Sequence, residues 1–216
     1  MSDEFETFSL PNLQLIRSVL PSSIYKSIMS EIDEMKEGGS FNEYNSKLAG
    51  AIEEEYELIK SRSYLIPFLK NMASQYRGVL DVSAEWDVGN MWVNLQKKNE
   101  YNPLHNHNGY LSFVIWMQIP FKYSDECKVK NVVNSNQSKA ASTFEISYQN
   151  ILGQTTFFRF PVGKGWEGRI VMFPSQLMHQ VYPFQTSDDY RVSISGNLHL
   201  KKYPNDDVYG IRPPLI

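Results

Sequence analysis

The run Leu111-Ser112-Phe113-Val114-Ile115-Trp116-Met117-Gln118-Ile119-Pro120, entered from Asn102-Pro103-Leu104-His105-Asn106-His107-Asn108-Gly109, decides how the rest of the chain reads. A short, nearly continuous apolar run of β-branched and aromatic residues closed by proline is a buried strand. The two histidines ahead of it are one residue apart. If that approach is extended, its two-residue period puts both imidazoles on one face, a few ångströms from each other. Neutral imidazole is the commonest protein ligand for iron, copper and zinc, so the pair reads as half of a metal site. A third histidine, His179, follows Phe173-Pro174-Ser175-Gln176-Leu177-Met178 at the end of another strand, where a barrel would return it to the pair. His199 reads as an ordinary hydrogen-bonded or surface residue.

Strand signals dominate outward from this stretch, from Asp81 to about Leu200. Asp87–Leu95 is a strand opening after Gly89-Asn90, and Phe144–Tyr148, Thr155–Phe160, Gly168–Phe173 and Tyr190–Ile194 are further short strands between turn residues. Strands at such intervals imply a sandwich or barrel. The polar stretch from Tyr123 to Thr143 has little periodicity and reads as an irregular insertion able to cover a site and select what enters it.

Upstream the period changes. Leu10–Arg17 reads as an opening strand. Ile24, Ile28, Ile32 and Met35 recur at helical spacing between Pro21-Ser22-Ser23 and Gly38-Gly39. Leu48, Ile52, Tyr56 and Ile59 suggest a second helix, with Glu53-Glu54-Glu55 as its solvated face. Leu65 to Val79 suggests a third, with Pro67 tolerable in a first turn. The expected organisation is one domain: an N-terminal strand and helical layer over 1–85, a β core over 86–200, and an extended tail over 201–216. That proline-rich tail offers a surface for packing on the body or on a second copy as a homodimer.

At 216 residues, 42% hydrophobic and 13% aromatic, the chain can bury a real core. A net charge of −3 without a dense Lys/Arg cluster excludes a strong nucleic-acid or membrane-surface binder. The single Cys127 excludes an internal disulfide framework. The acidic Met1–Glu6 start is unlike a signal peptide and no apolar run approaches the ~20 residues of a membrane span, so a cytoplasmic location is the expectation.

Trp92-Val93-Asn94, Pro103-Leu104-His105-Asn106-His107-Asn108-Gly109, Leu111-Ser112-Phe113-Val114, Phe173-Pro174-Ser175, His179-Gln180-Val181-Tyr182-Pro183 and Arg191-Val192-Ser193-Ile194-Ser195-Gly196-Asn197 together resemble the 2-oxoglutarate- and Fe(II)-dependent oxygenases of bacteria and their viruses, within the prolyl-hydroxylase-like superfamily. The resemblance covers roughly Trp86 to Leu198. It implies a mainly β fold, the double-stranded β-helix or jelly roll, with the N-terminal helices packed on one sheet. It implies Fe(II), 2-oxoglutarate as cosubstrate and O2, with hydroxylation of a small-molecule or peptidyl substrate and release of succinate and CO2. His105 and His179 would be iron ligands, and His107 stands where many relatives carry Asp or Glu. Either the ligands are three histidines, or Asn106, Asn108 or a distant carboxylate alters the set.

Arg191 lies twelve positions beyond His179, about where this superfamily places the basic residue that pairs with the distal carboxylate of 2-oxoglutarate. A guanidinium fork suits that task because it grips a carboxylate in two charge-assisted bonds. Ser193, on the same strand face, and Asn94, on the strand before the histidines, are candidate further contacts to the cosubstrate. Phe113, Trp116, Tyr182 and Phe184 are candidate pocket walls.

Two other readings compete. A cupin-like metal protein would share the fold, and the spacing Gly168, Pro174, His179 matches its second motif in part. Leu111 and Ser112, however, occupy the place of its glutamate. A non-catalytic jelly roll stabilised by a metal, with a binding or structural role, would have no need for Arg191-x-Ser193 facing the metal.

Overall fold

Side chains alternate across a strand, and here the alternation creates two cores. The computed structural model describes residues 13–76, 85–133 and 140–202. In order, the elements are β1 (Ile16–Val19), α1 (Ser22–Lys36), β2 (Glu54–Glu57), α2 (Arg62–Ala73), β3 (Glu85–Gln96), β4 (Asn102–His105), β5 (Leu111–Gln118), α3 (Tyr123–Glu126), α4 (Lys130–Val133), β6 (Phe144–Gln149), β7 (Thr155–Phe160), β8 (Arg169–Pro174), β9 (Met178–Val181) and β10 (Arg191–Lys202). They form a six-stranded sheet in the order β1-β8-β5-β10-β3-β2 and a four-stranded sheet in the order β4-β9-β6-β7, with every pairing antiparallel. From β3 to β10 the strands alternate between the two sheets except at the β6–β7 hairpin, in the manner of a jelly roll, which is the expected fold.

Phe113, Ile115 and Met117 of β5, Met91, Val93 and Leu95 of β3, and Val192 and Ile194 of β10 face the helices. They pack with Ile28 and Ile32 of α1 and Leu65 and Leu69 of α2. Val114 and Trp116 of β5, Val171 and Phe173 of β8, and Phe144 and Ile146 of β6 fill the space between the sheets. A strand sandwiched in this way has no polar face, which is why β5 reads as a continuous apolar run. Truncating Leu65 or Leu69, both fully buried, to alanine costs about 2–5 kcal/mol.

The helical layer differs from its expectation in three places. Helix α1 ends as expected, at Gly38, whose φ of +83° suits glycine and whose N–H bonds the Met35 carbonyl. The segment around Leu48 to Ile59 is not a helix: it contains a short 3₁₀ turn at Asn45–Lys47 and then β2, which pairs with β3 from Glu54↔Leu95 to Glu57↔Trp92. The edge of β3 needs partners for its backbone, and that long-range demand overrides a helical spacing of side chains. Glu55 consequently turns inward and is buried, not solvated.

Helix α2 begins at Arg62, so Pro67 lies beyond the first turn; the carbonyl it leaves unbonded belongs to exposed Ser63. The opening strand is Ile16–Val19, on the edge of β8, and Leu13–Leu15 are outside it. Gly89-Asn90 does not open a strand. The pair lies inside β3 beside a register shift in β10 at Asn197, where a side chain on residue 89 would come within 3.2 Å of the Asn197 carbonyl.

The Tyr123 to Thr143 insertion carries α3 and α4 and is anchored by Glu126, whose buried carboxylate accepts the N–H groups of Gln185 and Thr186, each at 2.8 Å. Leu10 to Asn12 of the expected first strand, the end of the third helix at 77–79, the middle of the insertion at 134–139 and the tail from Tyr203 onward lie outside the described residues. No helix among the described residues is long and apolar enough to cross a membrane.

Candidate active site

His105 is the last residue of β4 and stands directly opposite His179 of β9 in register. His107 lies just past the strand, where its backbone N–H bonds the Ser175 carbonyl at 3.0 Å and keeps the extended approach in place. The ring centroids are 4.8 Å apart for His105 and His107, 4.3 Å for His105 and His179, and 5.0 Å for His107 and His179. Their ligand nitrogens all lie within 4.8 Å of one another.

Two backbone carbonyls fix the tautomers. The Pro103 carbonyl sits 2.6 Å from Nδ1 of His105 and the Leu177 carbonyl 2.8 Å from Nδ1 of His179. Each ring then carries its proton on Nδ1 and turns the Nε2 lone pair to the common centre. Burial lowers the pKa of all three rings, His107 to about 4 and His179 to about 3, with the neighbouring His105 adding to the effect on both. Asn106 and Asn108 are exposed, and no carboxylate joins the cluster among the described residues.

Arg191, at the start of β10, is 2% exposed. Its Nε and Nη2 donate to Gln96 Oε1 at 2.9 and 2.7 Å, Nη1 to the Ser142 carbonyl at 2.9 Å and Nη2 to the Tyr182 carbonyl at 2.9 Å. These bonds use four of the five guanidinium N–H groups and are all to neutral oxygens. The positive charge therefore has no carboxylate in contact among the described residues, and burial lowers the pKa to about 9. On the same strand face, Ser193 Oγ accepts a 3.1 Å bond from Asn94 Nδ2.

One cavity is lined by all six residues singled out in the sequence: His105, His107, His179, Arg191, Ser193 and Asn94. Phe113 and Trp116 also line it. Tyr182 and Phe184 do not, since Phe184 is wholly inside the core between the sheets. The described part of the Tyr123 to Thr143 insertion does not line it either, although its Ser142 carbonyl accepts from Arg191 and the charge of its Glu126 acts on the guanidinium. Leu48, Ala49, Gly50 and Ile52, from the segment before β2, line it instead. Sequence reasoning missed Gln96, which holds the guanidinium, Trp92, whose ring lies 5.7 Å from that of His107, and Glu55. The period-two alternation of β3 through Trp92, Asn94 and Gln96 was the available signal for the first two.

The donor set suits Fe(II), because three neutral imidazoles bind a six-coordinate ion and leave positions open. A buried cation with no carboxylate in direct contact suits a carboxylate. Ser112, at the position of the cupin glutamate, bonds Ser175 and Asn197, which removes the support for that reading.

No curated protein matches the sequence. The fold is similar to a Pseudomonas putida prolyl-4-hydroxylase (13% identity, 85% of this chain and 91% of the other, TM-score 0.56). It is similar to the non-heme α-ketoglutarate-dependent epimerase SnoN from nogalamycin biosynthesis (11% identity, 93% and 89%, TM-score 0.58). It is also similar to a 2OG-Fe(II) oxygenase family oxidoreductase from Burkholderia pseudomallei (13% identity, 86% and 85%, TM-score 0.52). The family described as "Putative 2OG-Fe(II) oxygenase" matches residues 90–197, half of the chain and the part that carries every one of the six cavity residues above. The protein therefore belongs to the 2OG-Fe(II) oxygenases, non-haem enzymes that use Fe(II), 2-oxoglutarate and O2.

Proposed function

We propose that this protein is a 2-oxoglutarate-dependent dioxygenase that hydroxylates a small-molecule or peptidyl substrate and releases succinate and CO2. In this reading His105, His107 and His179 hold Fe(II), and Arg191 receives the distal carboxylate of 2-oxoglutarate. The observation that carries it is the opening of a three-imidazole cluster and a buried guanidinium with no carboxylate hydrogen-bonded to it into one cavity.

Bound iron would supply the activation of O2 and the oxidation of a C–H bond. The chain supplies placement. The Pro103 and Leu177 carbonyls keep two imidazoles in the ligand tautomer, and Gln96 holds the guanidinium plane by accepting two of its N–H groups. Ser193 and Asn94, linked to each other, lie in the row between Arg191 and Trp92, the neighbour of His107, where they can bond the cosubstrate. Trp116, Phe144 and Phe173 exclude water from the inner wall.

The experiment is anaerobic addition of Fe(II) and 2-oxoglutarate, followed by air. A metal-to-cosubstrate charge-transfer band and succinate formation, both lost in His179→Ala and weakened in Arg191→Met, are expected. Metal binding with indifference to 2-oxoglutarate would overturn the reading.

A further inference from the structure

Four glutamates are buried among the described residues, and three are accounted for. Glu31 accepts the N–H groups of Ile59, Lys60 and Ser61. Glu126 holds Gln185 and Thr186, and Glu145 is paired with Arg159 and Gln180. Glu55 differs. It is 1% exposed, neither of its carboxylate oxygens has a hydrogen-bond partner, and it lines the cavity. The nearby Lys97 is engaged by Glu53 and Glu54.

Two neighbours repeat the pattern. Asn94 Oδ1 and Asn102 Oδ1 also line the cavity without a partner. The Asn94 amide cannot be turned to relieve this, because its Nδ2 faces the Ser193 carbonyl, which only a donor satisfies. With Glu55 ionised and the Asn102 amide in its present orientation, the wholly unpartnered buried side-chain atoms of this cavity are four acceptor oxygens. Buried polar atoms are nearly always paired in native proteins, so such a set marks a missing donor-bearing occupant.

2-Oxoglutarate cannot be that occupant, since it is a dianion with acceptors only and a carboxylate repels it. The metal is not the answer either, because Glu55 lies outside the converging ligand set. Water would supply donors but no charge. Burial and then the charge of Glu100 raise the Glu55 carboxyl to about 7, so the group sits in a site that lacks a compensating cation.

Register places the feature. Glu55 stands opposite Asn94, which stands opposite Ser193. The row formed by Gln96 and Arg191 lies about 7 Å to one side, and the row containing Trp92, next to His107, about 7 Å to the other. The backbone of Gly50 closes over this row: a Cβ there would lie 3.2 Å from Glu55 Oε1 and still nearer Asn102 Oδ1.

We propose that the substrate carries an ammonium or guanidinium group that seats on Glu55, with Asn94 and Asn102 as flanking acceptors. This rests on the oxygenase reading, which makes the cavity a substrate site. The cavity is then divided by charge, with the cosubstrate carboxylate at Arg191 and the substrate cation at Glu55.

The test is calorimetric titration under nitrogen of the protein loaded with Fe(II) and 2-oxoglutarate. The cationic probes are n-butylammonium, a free amine, and Nα-acetyl-lysine N-methylamide, a peptidyl one. Their uncharged counterparts are n-butanol and Nα-acetyl-norleucine N-methylamide. At least one cation is expected to bind tenfold or more tighter than its counterpart, and the tighter of the two identifies a free or a peptidyl source. Glu55→Gln is expected to abolish that preference, whereas Glu55→Asp, which keeps the charge, retains part of it. Equal binding of cation and counterpart, or a preference unchanged in Glu55→Gln, would overturn the proposal. The charge-transfer band is recorded on the same samples. Its absence would sink the oxygenase reading, while a Glu55-dependent cation preference would stand without it.

Discussion

His105 and His179 face each other across the β4–β9 pair with ring centroids 4.3 Å apart, although 73 residues of chain separate them. The pairing of two short strands thus sets the distance between two proposed ligands, and the His-x-His spacing brings in the third. Removing one imidazole leaves too few ligands to hold the ion. His179→Ala is expected to lower Fe(II) or Co(II) affinity by about 100-fold or more, a larger effect than the ~10–100-fold typical of outer-shell partners. Bound metal raises Tm by mass action, so the wild type should gain Tm on metal addition and the variant should not. An undiminished metal-induced gain in His179→Ala would remove His179 from the ligand set.

The buried imidazoles make the metal-free protein acid-sensitive. An ordinary histidine in the unfolded chain takes up its proton near pH 6.5, whereas folded His107 and His179 resist until about 4 and about 3. Between those values the unfolded state binds more protons, so stability rises with pH through this window. The contribution is complete above about pH 6.5 and is lost as pH falls towards 4. Thermal melts at pH 7 and pH 4.5 should therefore show a smaller drop in His107→Gln than in the wild type. Equal drops would contradict the assignment of a neutral, protonation-resistant cluster.

Arg191 is tested separately from the metal. Truncating one partner of a buried charge pair costs about 2–5 kcal/mol, so Arg191→Met should weaken 2-oxoglutarate binding by at least ~30-fold while Fe(II) affinity stays within a few-fold. Because Arg191 also ties Ser142 and Tyr182 to β10, Arg191→Lys serves as the check on folding and should retain part of the cosubstrate affinity. A change in Fe(II) affinity as large as that in 2-oxoglutarate affinity would point to a collapsed site.

Glu55 should be a liability in the empty protein. The folded chain holds its proton up to about pH 7 and the unfolded chain releases it near 4.5. The native state therefore binds more protons between those values, and stability falls as pH rises through them. An unpartnered buried group costs about 1–3 kcal/mol, so Glu55→Gln should raise Tm by about 3 °C or more at pH 8 and change it little at pH 4. A loss of Tm at pH 8 would show that the carboxylate stabilises the fold.

Much of this arrangement was written locally. The apolar run of β5, the His-x-His approach, the remote His179 and the face shared by Arg191 and Ser193 are patterns of period two or of short spacing, and all four end in the cavity where the sequence directs them. Local pattern is sufficient there because strand alternation fixes which face a side chain takes.

Only the tertiary structure decided Glu55. Its neighbours spell a helical spacing and an acidic face, and nothing within ten residues reports that β3, some forty positions later, will draw the segment into the sheet and turn one carboxylate inward. The insertion shows the converse: its polar composition suggested a cover for the site, yet among the described residues it is Leu48, Ala49, Gly50 and Ile52 that border the cavity. Which segment borders a cavity, and which buried group is left without a partner, depends on pairings between distant backbones. Sequence periodicity encodes the faces of elements, not the identity of the strand that will lie beside them.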